Sequence, residues 1–458
     1  MKRLRSALVA FAVLSVVFVP SSAQAAVTLT QLSSDPFTNA SSQHATEVEP
    51  DSFAYGSTIV AAFQQGRFFG GGASGMGWAT STNAGASWSH GSLPGLTTYF
   101  GNGPYDRTTD PAVAYDAAHG VWLITSLGLT ESTGAWDVLV SRSTDGLSWG
   151  NPVVVALGPP HGGFDKPWIA CDSTASSPFY GHCYVQWTNF PGFCSQHVEL
   201  STSTDGGLTW GAIQTPANTS SATGGQPVVQ PNGTVIVPIT GGCSQLTLRA
   251  LRSTDGGATW SAIAPITSIH RHKVGGGLRG GTYVLPSAEV DGAGTVYVAW
   301  QDCRFRRNCS SNDIVYSTST DGVAWSPATR VPIDPVDSGE DHFLPGLAVD
   351  RSTSGSSAHL GLAYYYYPNA ECDVSTCQLG AGFVSSTNGG TSWSAPTQLA
   401  GPMSLSWIAS TSGGPMIGDY ISTSFSAGRA FPVIAVANAP SGGLFDEAMY
   451  TVAGGVSP

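Results

Sequence analysis

Ser203-Thr204-Asp205-Gly206-Gly207-Leu208-Thr209-Trp210 decides the fold, because it recurs. The same pattern returns at Ser81–Trp88, Ser143–Trp149, Ser253–Trp260, Ser319–Trp325 and Ser386–Trp393, about 60 residues apart. Each copy follows a β-prone stretch such as Ile314–Ser317 and precedes another short strand. Asp or Asn accepts local backbone N–H bonds, Gly takes positive φ, and the Trp ring packs under the turn, which is the chemistry of a hairpin. Regular recurrence at this spacing marks a repeat architecture.

A second repeat lies between these turns. It sets a Pro, usually beside a carboxylate, ahead of an apolar strand: Glu49-Pro50, Asp110-Pro111, Asp165-Lys166-Pro167-Trp168, Gln226-Pro227, Leu285-Pro286 and Leu344-Pro345. Gly418-Asp419-Tyr420 is a degenerate seventh. A strand rich in aromatic and β-branched residues comes next, as in Val121–Thr125, Cys183–Trp187, Val296–Trp300 and Leu360–Tyr367. One unit is a strand from the Pro, a second strand, a third running into the Asp-containing turn, and a fourth from the Trp. Four strands per period predict an all-β chain folded as a single β-propeller. First strands count to seven blades and turns to six, so seven is expected and six is the alternative. Ile421–Phe425, Phe431–Ala437 and Glu447–Val452 supply three strands of a last blade, and Val27–Leu32 supplies the fourth. Closing the ring with that N-terminal strand removes exposed edges.

Residues 1–25 read as a signal peptide: Lys2, Arg3 and Arg5, then the apolar run Ala7–Val19, then Ala23-Gln24-Ala25 at the cleavage site. Residues 26–458 are then one secreted propeller domain. The run is too short to span a bilayer and does not recur, so no membrane is expected after cleavage. The whole chain carries a net charge of −12, and loss of the three leader cations takes it to −15, with Lys166 and Lys273 the only lysines left. Such a surface repels phosphate backbones and excludes nucleic acid as a partner. Acidic polysaccharide stays compatible, because arginines focused in one cleft outweigh the net charge locally. Eight cysteines in an exported chain point to disulfides. Spacing suggests Cys303–Cys309, Cys372–Cys377 and Cys171–Cys183, leaving Cys194 with Cys243, although other pairings remain open.

The six turns resemble the Asp boxes, or bacterial neuraminidase repeats, of the sialidase superfamily. This resemblance covers nearly the whole mature chain. It implies a propeller whose boxes sit on the face away from the active centre, so the Ser, Asp and Trp of the boxes are structural. It further implies a substrate carboxylate held by three arginines, a Tyr–Glu nucleophile and an Asp acid/base. The family's Arg-Ile-Pro motif is absent, and the corresponding early strand reads Glu49-Pro50-Asp51-Ser52.

On the face opposite the boxes, first strands begin at Glu49, Asp110, Asp165 with Lys166, Gln226, Asp341 with His342, and Asp419 with Tyr420. Second strands end there at Gln65 and Arg67, Trp187 and Asn189, Asp302 and Arg304, and Tyr366 and Tyr367. Carboxylates converging on one axis raise one another's pKa, giving a neutral acid beside an ionised base for glycosidic cleavage. They also suit a hard cation such as Ca²⁺, although the chemistry requires no cofactor. The structural alternative is that each carboxylate caps the turn before its strand. Asp110 and Asp165, framed by Arg107 and Lys166, are the acid/base candidates, with Glu49 and Tyr366 as further catalytic candidates. Arg67, Arg279 and Arg304 form a candidate clamp for an anionic sugar, since guanidinium pairs with carboxylate through two bonds. Lys166, Asp302, Trp187 and Tyr420 complete the candidate substrate-binding set, and the rings of Tyr366 or Tyr367 are candidate stacking platforms. His270-Arg271-His272-Lys273 is either a lyase base cluster or a solvated loop. The expected function is a secreted, monomeric glycoside hydrolase acting on extracellular glycan. A non-catalytic glycan- or partner-binding propeller is the alternative, and a polysaccharide lyase a third reading.

Overall fold

The computed structural model describes residues 27–458 apart from Phe193, Thr219, Ser220, Ser244, Thr282 and Tyr283. The expected signal peptide lies outside the described residues. Among these, helix is confined to short 3₁₀ turns at Gly275–Gly277, Arg307–Cys309, Gly355–Ser357 and Leu405–Trp407. No described helix is long and apolar enough to cross a membrane.

Everything else regular is antiparallel strand, arranged as successive meanders. Glu47–Tyr55, Thr58–Arg67, Ala73–Ser81 and Ser89–Ser92 form the first. Arg107–Asp116, Val121–Thr130, Ala135–Ser143 and Val153–Ala156 form the second, and one residue pair, Ala73 with Thr108, joins both into one eight-stranded sheet. The third is three-stranded, Gly163–Cys171, Cys183–Phe190 and His197–Ser203. In the fourth the first strand is interrupted at Gln226-Pro227, giving Ala222–Gly225 and Val228–Val229 against Val235–Gly241, followed by Thr247–Ser253 and Ala264–Ser268. Proline has no N–H to donate to the ladder, which explains the break. The fifth begins at Ser287–Val290 and the sixth at Asp341–Val349. The last comprises Ser422–Ser426, Arg429–Ala437 and Glu447–Val452, with N-terminal Leu29–Gln31 pairing on its outer edge against Tyr450–Val452.

First strands pack on one another in sequence. Glu47–Tyr55 touches Arg107–Asp116, which touches Gly163–Cys171, and so on through Ser422–Ser426, which returns to Glu47–Tyr55. Polar bridges join these neighbours: Asp51 accepts from the Val113 N–H (2.7 Å), Ser287 from the Leu347 N–H (3.0 Å), and Ser52 pairs with Ser422 and Ser424 (2.9 Å each).

The boxes show why the turn repeats. Ser203 Oγ accepts the Gly207 N–H (2.9 Å) and donates to Asp205 Oδ1 (2.9 Å), and that oxygen accepts the N–H groups of Leu208 and Thr209 (3.0 and 2.9 Å). Gly207 has φ 77°. An added Cβ there would press on Leu123 of the preceding sheet at 3.0 Å, and one at Gly257 would meet Tyr184 at 2.9 Å. Gly85 of the first box stands in the same relation to Phe431 of the last sheet. Each box therefore both closes its own hairpin and abuts the neighbouring sheet.

The four disulfides are Cys171–Cys183, Cys194–Cys243, Cys303–Cys309 and Cys372–Cys377, the pairing that the spacing suggests.

Candidate functional site

The Pro repeat builds the site. Ladder registers shift between Val48 and Asp51, Thr109 and Ala112, Asp165 and Trp168, and Phe343 and Gly346. At each bulge the residue before Pro is left-handed: Glu49 (φ 60°), Asp110 (56°), Lys166 (52°) and Leu344 (52°). A residue preceding Pro prefers extended backbone, and a non-Gly residue in the left-handed region costs about 1–3 kcal/mol. Bulges re-aim side chains, and three of these four aim charged groups at one point.

That point is Lys166 Nζ. It lies 2.8 Å from Asp419 Oδ2, 3.3 Å from both Asp110 Oδ2 and Asp165 Oδ1, and 3.9 Å from Glu49 Oε1. The backbone N–H of Lys166 donates to both Asp110 Oδ2 (3.0 Å) and Asp165 Oδ1 (2.9 Å). Arg279 Nη2 stands 3.7 Å from Asp419 Oδ2. Arg67, fully buried, reaches Glu49 through Gln64, which donates to the Glu49 carboxyl and accepts from Arg67. The segment Met416–Asp419 clamps the group: Met416 Sδ faces Arg67 Nη2 at 3.1 Å, Ile417 O accepts the Glu49 N–H, and the Asp419 N–H donates to Glu49 Oε1 (3.3 Å). A cation among these carboxylates has its place taken by the Lys166 ammonium.

The four carboxyls divide into two kinds. Burial, then the charge of Asp110, pushes Glu49 up to about 8. Burial also raises Asp165, to about 7; Lys166 opposes this, and the charge of and hydrogen bond to Asp110 add to it. The Asp165 side chain is 38% exposed, so water screens part of the burial effect and the bond to Asp110 is the firmer cause. Asp110 is held well below the usual carboxylate range: burial opposes this, but Lys166, Asp165, Thr109 and the Lys166 N–H outweigh it. Asp419 is likewise lowered, with Lys166 and Arg279 outweighing burial. At neutral pH the cluster thus pairs protonated Glu49 and a shared proton on Asp165 with ionised Asp110 and Asp419. Separated pKa values on adjacent carboxyls are the arrangement that acid/base chemistry needs.

Asp165, Lys166, Arg279 and Asp419 open into a cavity of about 220 Å³, walled by Phe190, Leu246 and Leu285 and bordered by Arg271. A larger cavity of about 490 Å³ lies at the other end of the first strands. Its charged groups are engaged: Arg351 lies over the Phe53 ring (4.9 Å) and pairs with Glu289 (3.3 Å), and Asp350 accepts hydrogen bonds from Ser352. Converging titratable groups, not volume, single out the smaller one.

The remaining sequence candidates stand apart. Trp187 is fully buried, its Nε1 donating to Glu199 (2.9 Å). Of the three clamp arginines, Arg67 and Arg279 reach the cluster, whereas Arg304 is engaged by Asp302 (2.9 and 2.7 Å). Asp302 is further engaged by Trp300 Nε1 (3.1 Å). Tyr366 stacks beside the His342 ring (6.2 Å), away from Lys166. Tyr420 lies beneath the cluster with its hydroxyl donating to Pro111 O (2.8 Å) and its ring edge-on to Trp168 (4.7 Å). Burial holds that phenol far above its ordinary range, so it supplies no phenolate. Sequence reasoning sets Asp419 at a strand start without singling it out, because the Pro that flags its counterparts is missing. Gln64 carried no signal at all.

Asp313, Asp334 and His342 lie close enough to hold a metal. Both carboxylates already carry guanidiniums, Arg306 on Asp313 and Asp334 (2.6 Å each) and Arg330 on Asp313 (2.8 Å), which fill the role of a cation.

Residues 123–346 match the family model described as a BNR repeat-like domain. Among solved structures, the phage phi92 endosialidase is similar at 12% identity with a TM-score of 0.51, covering 93% of this chain and 68% of that one. A PL25 ulvan lyase bound to -[GlcA(1-4)Rha3S]- shows 10% identity and a TM-score of 0.49 over 93% and 96%. The Hadza microbial sialidase Hz136 shows 14% and 0.49 over 82% and 76%. Such identities speak to the fold alone, and the endosialidase carries that point. No curated protein matches by sequence.

Proposed function

Because this chain is a BNR-repeat β-propeller of the sialidase-like superfamily, we propose that it is an exported glycoside hydrolase working at the Lys166-centred carboxyl cluster. The observation that carries this reading is the carboxyl pair Asp110–Asp165, hydrogen-bonded to each other and to one N–H, with its outer member open to solvent. Asp165, holding a proton near neutrality, donates it to the glycosidic oxygen as the C–O bond breaks, and the carboxylate so formed takes back a proton from the water that adds to the sugar carbon. Ionised Asp110 beneath it fixes the carboxyl and keeps its proton available. Two carboxyls in contact cannot flank a bond from both sides, since even retaining enzymes separate them by about 5–5.5 Å. The pair therefore acts as one acid/base unit against an attacking water. Arg279 and Lys166 offset the local negative charge and orient polar groups of the sugar. Needing only side-chain proton transfer, the reaction calls for no cofactor.

The architecture that goes with this reading is seven blades, closed by Leu29–Gln31 on the last one. Its support is the cyclic packing of the first strands and the contact of Gly85 with Phe431. Export is supported by four disulfides.

A binding-only propeller is the second reading, favoured by the burial of Glu49, Asp110 and Asp419, which leaves one exposed carboxyl. A glycan panel assayed by product mass spectrometry separates the two. The hydrolase reading expects turnover that Asp165→Asn abolishes while binding persists. Binding without cleavage of any glycan supports the second reading, and an unsaturated, ultraviolet-absorbing product means a lyase.

A further inference from the structure

In a chain of net charge −12, cations are unevenly spread. Residues 27–458 hold fifteen lysines and arginines, and six lie between Arg271 and Arg307: Arg271, Lys273, Arg279, Arg304, Arg306 and Arg307. Arg304 and Arg306 are consumed internally by Asp302, Asp313 and Asp334. Arg279 and Arg271 border the cavity. Lys273 and Arg307 are exposed and make no ion pair among the described residues.

The fold ties together the loops that carry these residues. The loop carrying Arg271 and Lys273 is laced to the Cys303–Cys309 loop that carries Arg307. His270 O accepts the Cys303 N–H (2.7 Å), His272 Nδ1 pairs with Cys309 O (3.1 Å), and the His272 N–H donates to Asn312 (2.8 Å). Farther along, Gly275 and Gly276 pack against Cys372 and Cys377, whose loop carries Glu371 and Asp373. Exposed, unpaired cations in a strongly acidic protein focus the field on their own patch. An isolated anionic sugar needs only the cavity; further exposed cations on loops fixed beside its border match an anion that repeats.

The geometry points to an acidic polysaccharide as the substrate class, with one ring in the cavity beside Arg271 and Arg279 and the adjoining acidic units on Lys273 and Arg307. This rests on the hydrolase reading for the fate of the chain, but its own claim is about binding. Polygalacturonate is the first probe, with fully methyl-esterified pectin as its uncharged counterpart and alginate and dextran sulfate as further polyanions. Affinity electrophoresis of the full protein at rising NaCl reads the interaction. Retardation by at least one polyanion that weakens with salt, and none by the ester, is expected. Replacing both Lys273→Gln and Arg307→Gln, which lie outside the acid/base group, should weaken that binding about fivefold and flatten its salt dependence, with Tm unchanged. Equal retardation by the ester, no retardation by any polyanion, or an unaffected double variant overturns the proposal. Salt-sensitive binding with no cleavage of any glycan would sink the hydrolase reading and leave this one standing.

Discussion

Asp110 and Asp165 accept hydrogen bonds from one and the same N–H, that of Lys166, at 3.0 and 2.9 Å. Two carboxyls held this close cannot both be ionised cheaply, and the proton stays on the one nearer water. Asp165 is pushed up to about 7 while Asp110 is driven down. The acid must be protonated to act, so kcat/KM on a cleaved glycan should be flat at low pH and fall as pH rises through about 7. Asp110→Asn removes the charge that helps raise Asp165, so its alkaline limb should move to lower pH. A limb that stays in place in Asp110→Asn would remove the shared-proton account.

Among the described residues Lys166 alone pairs with all four carboxyls, and it is almost wholly buried. Lys166→Met leaves Asp110 and Asp419 as buried, underpaired charges. Removing one partner of a buried pair costs about 3–5 kcal/mol. Urea denaturation at pH 7 should show a loss of that order. At pH 5 the loss should be smaller, because carboxylates freed from the ammonium take up protons more readily. A loss equal at both pH values would mean that the side chain acts by packing alone.

The order of the strands was legible because turn chemistry is local. Asp or Asn, Gly and Trp in Ser203–Trp210 and its copies satisfy one another within eight residues, so composition and spacing reveal them. Carboxylates before Pro were legible for the same reason, since the bulge is set by the Pro that follows. Which second-strand ends reach the cluster was not. Arg67 and Arg304 occupy similar places in their repeats, yet Arg304 is captured by Asp302 two residues away, whereas Arg67 is drawn to Glu49 through Gln64. That choice depends on contacts across sheets, which no local pattern encodes. Trp187 stands apart for a related reason: an aromatic at a strand end reads as a substrate-binding residue, whereas here Glu199 satisfies its N–H and burial closes over it.

Glu47, Glu49 and Asp51 share the first strand and are all raised by burial before any other cause, to about 8, 8 and 7. A carboxyl whose folded pKa exceeds its unfolded value binds a proton more tightly in the folded state. Its stabilising effect is complete below the unfolded pKa, near 4.5, and is lost as pH rises through the folded one. Calorimetry should therefore find Tm falling between about pH 5 and pH 8, unlike a protein stabilised by surface carboxylate pairs. Glu47→Gln keeps an acceptor for Ser33, which donates at 2.8 Å, and needs no proton. At pH 8 it should gain on the order of 1–3 kcal/mol relative to the parent, and at pH 5 little. Equal effects at both pH values would show that Glu47 does not titrate in this window.

Closure of the ring is tested at Gly85. Its box turn belongs to the first meander, but the space above its Cα is taken by the Phe431 ring of the last, and its φ is 80°. Gly85→Ala therefore combines backbone strain with a collision between the chain's two ends. Gly120 separates the two effects, having φ 64° and nothing within reach of an added Cβ. Gly120→Ala should cost about 1 kcal/mol from strain alone. Gly85→Ala should cost about 1–3 kcal/mol more, because an aromatic ring in a packed core must move to admit a methyl. Phe431→Leu in the same background should return part of that difference, as it clears the space the methyl needs, although alone it loses ring contacts. If the two alanine variants unfold at the same urea concentration, the first and last meanders are not pressed together at this turn, and the ring is open where the sequence places its seam.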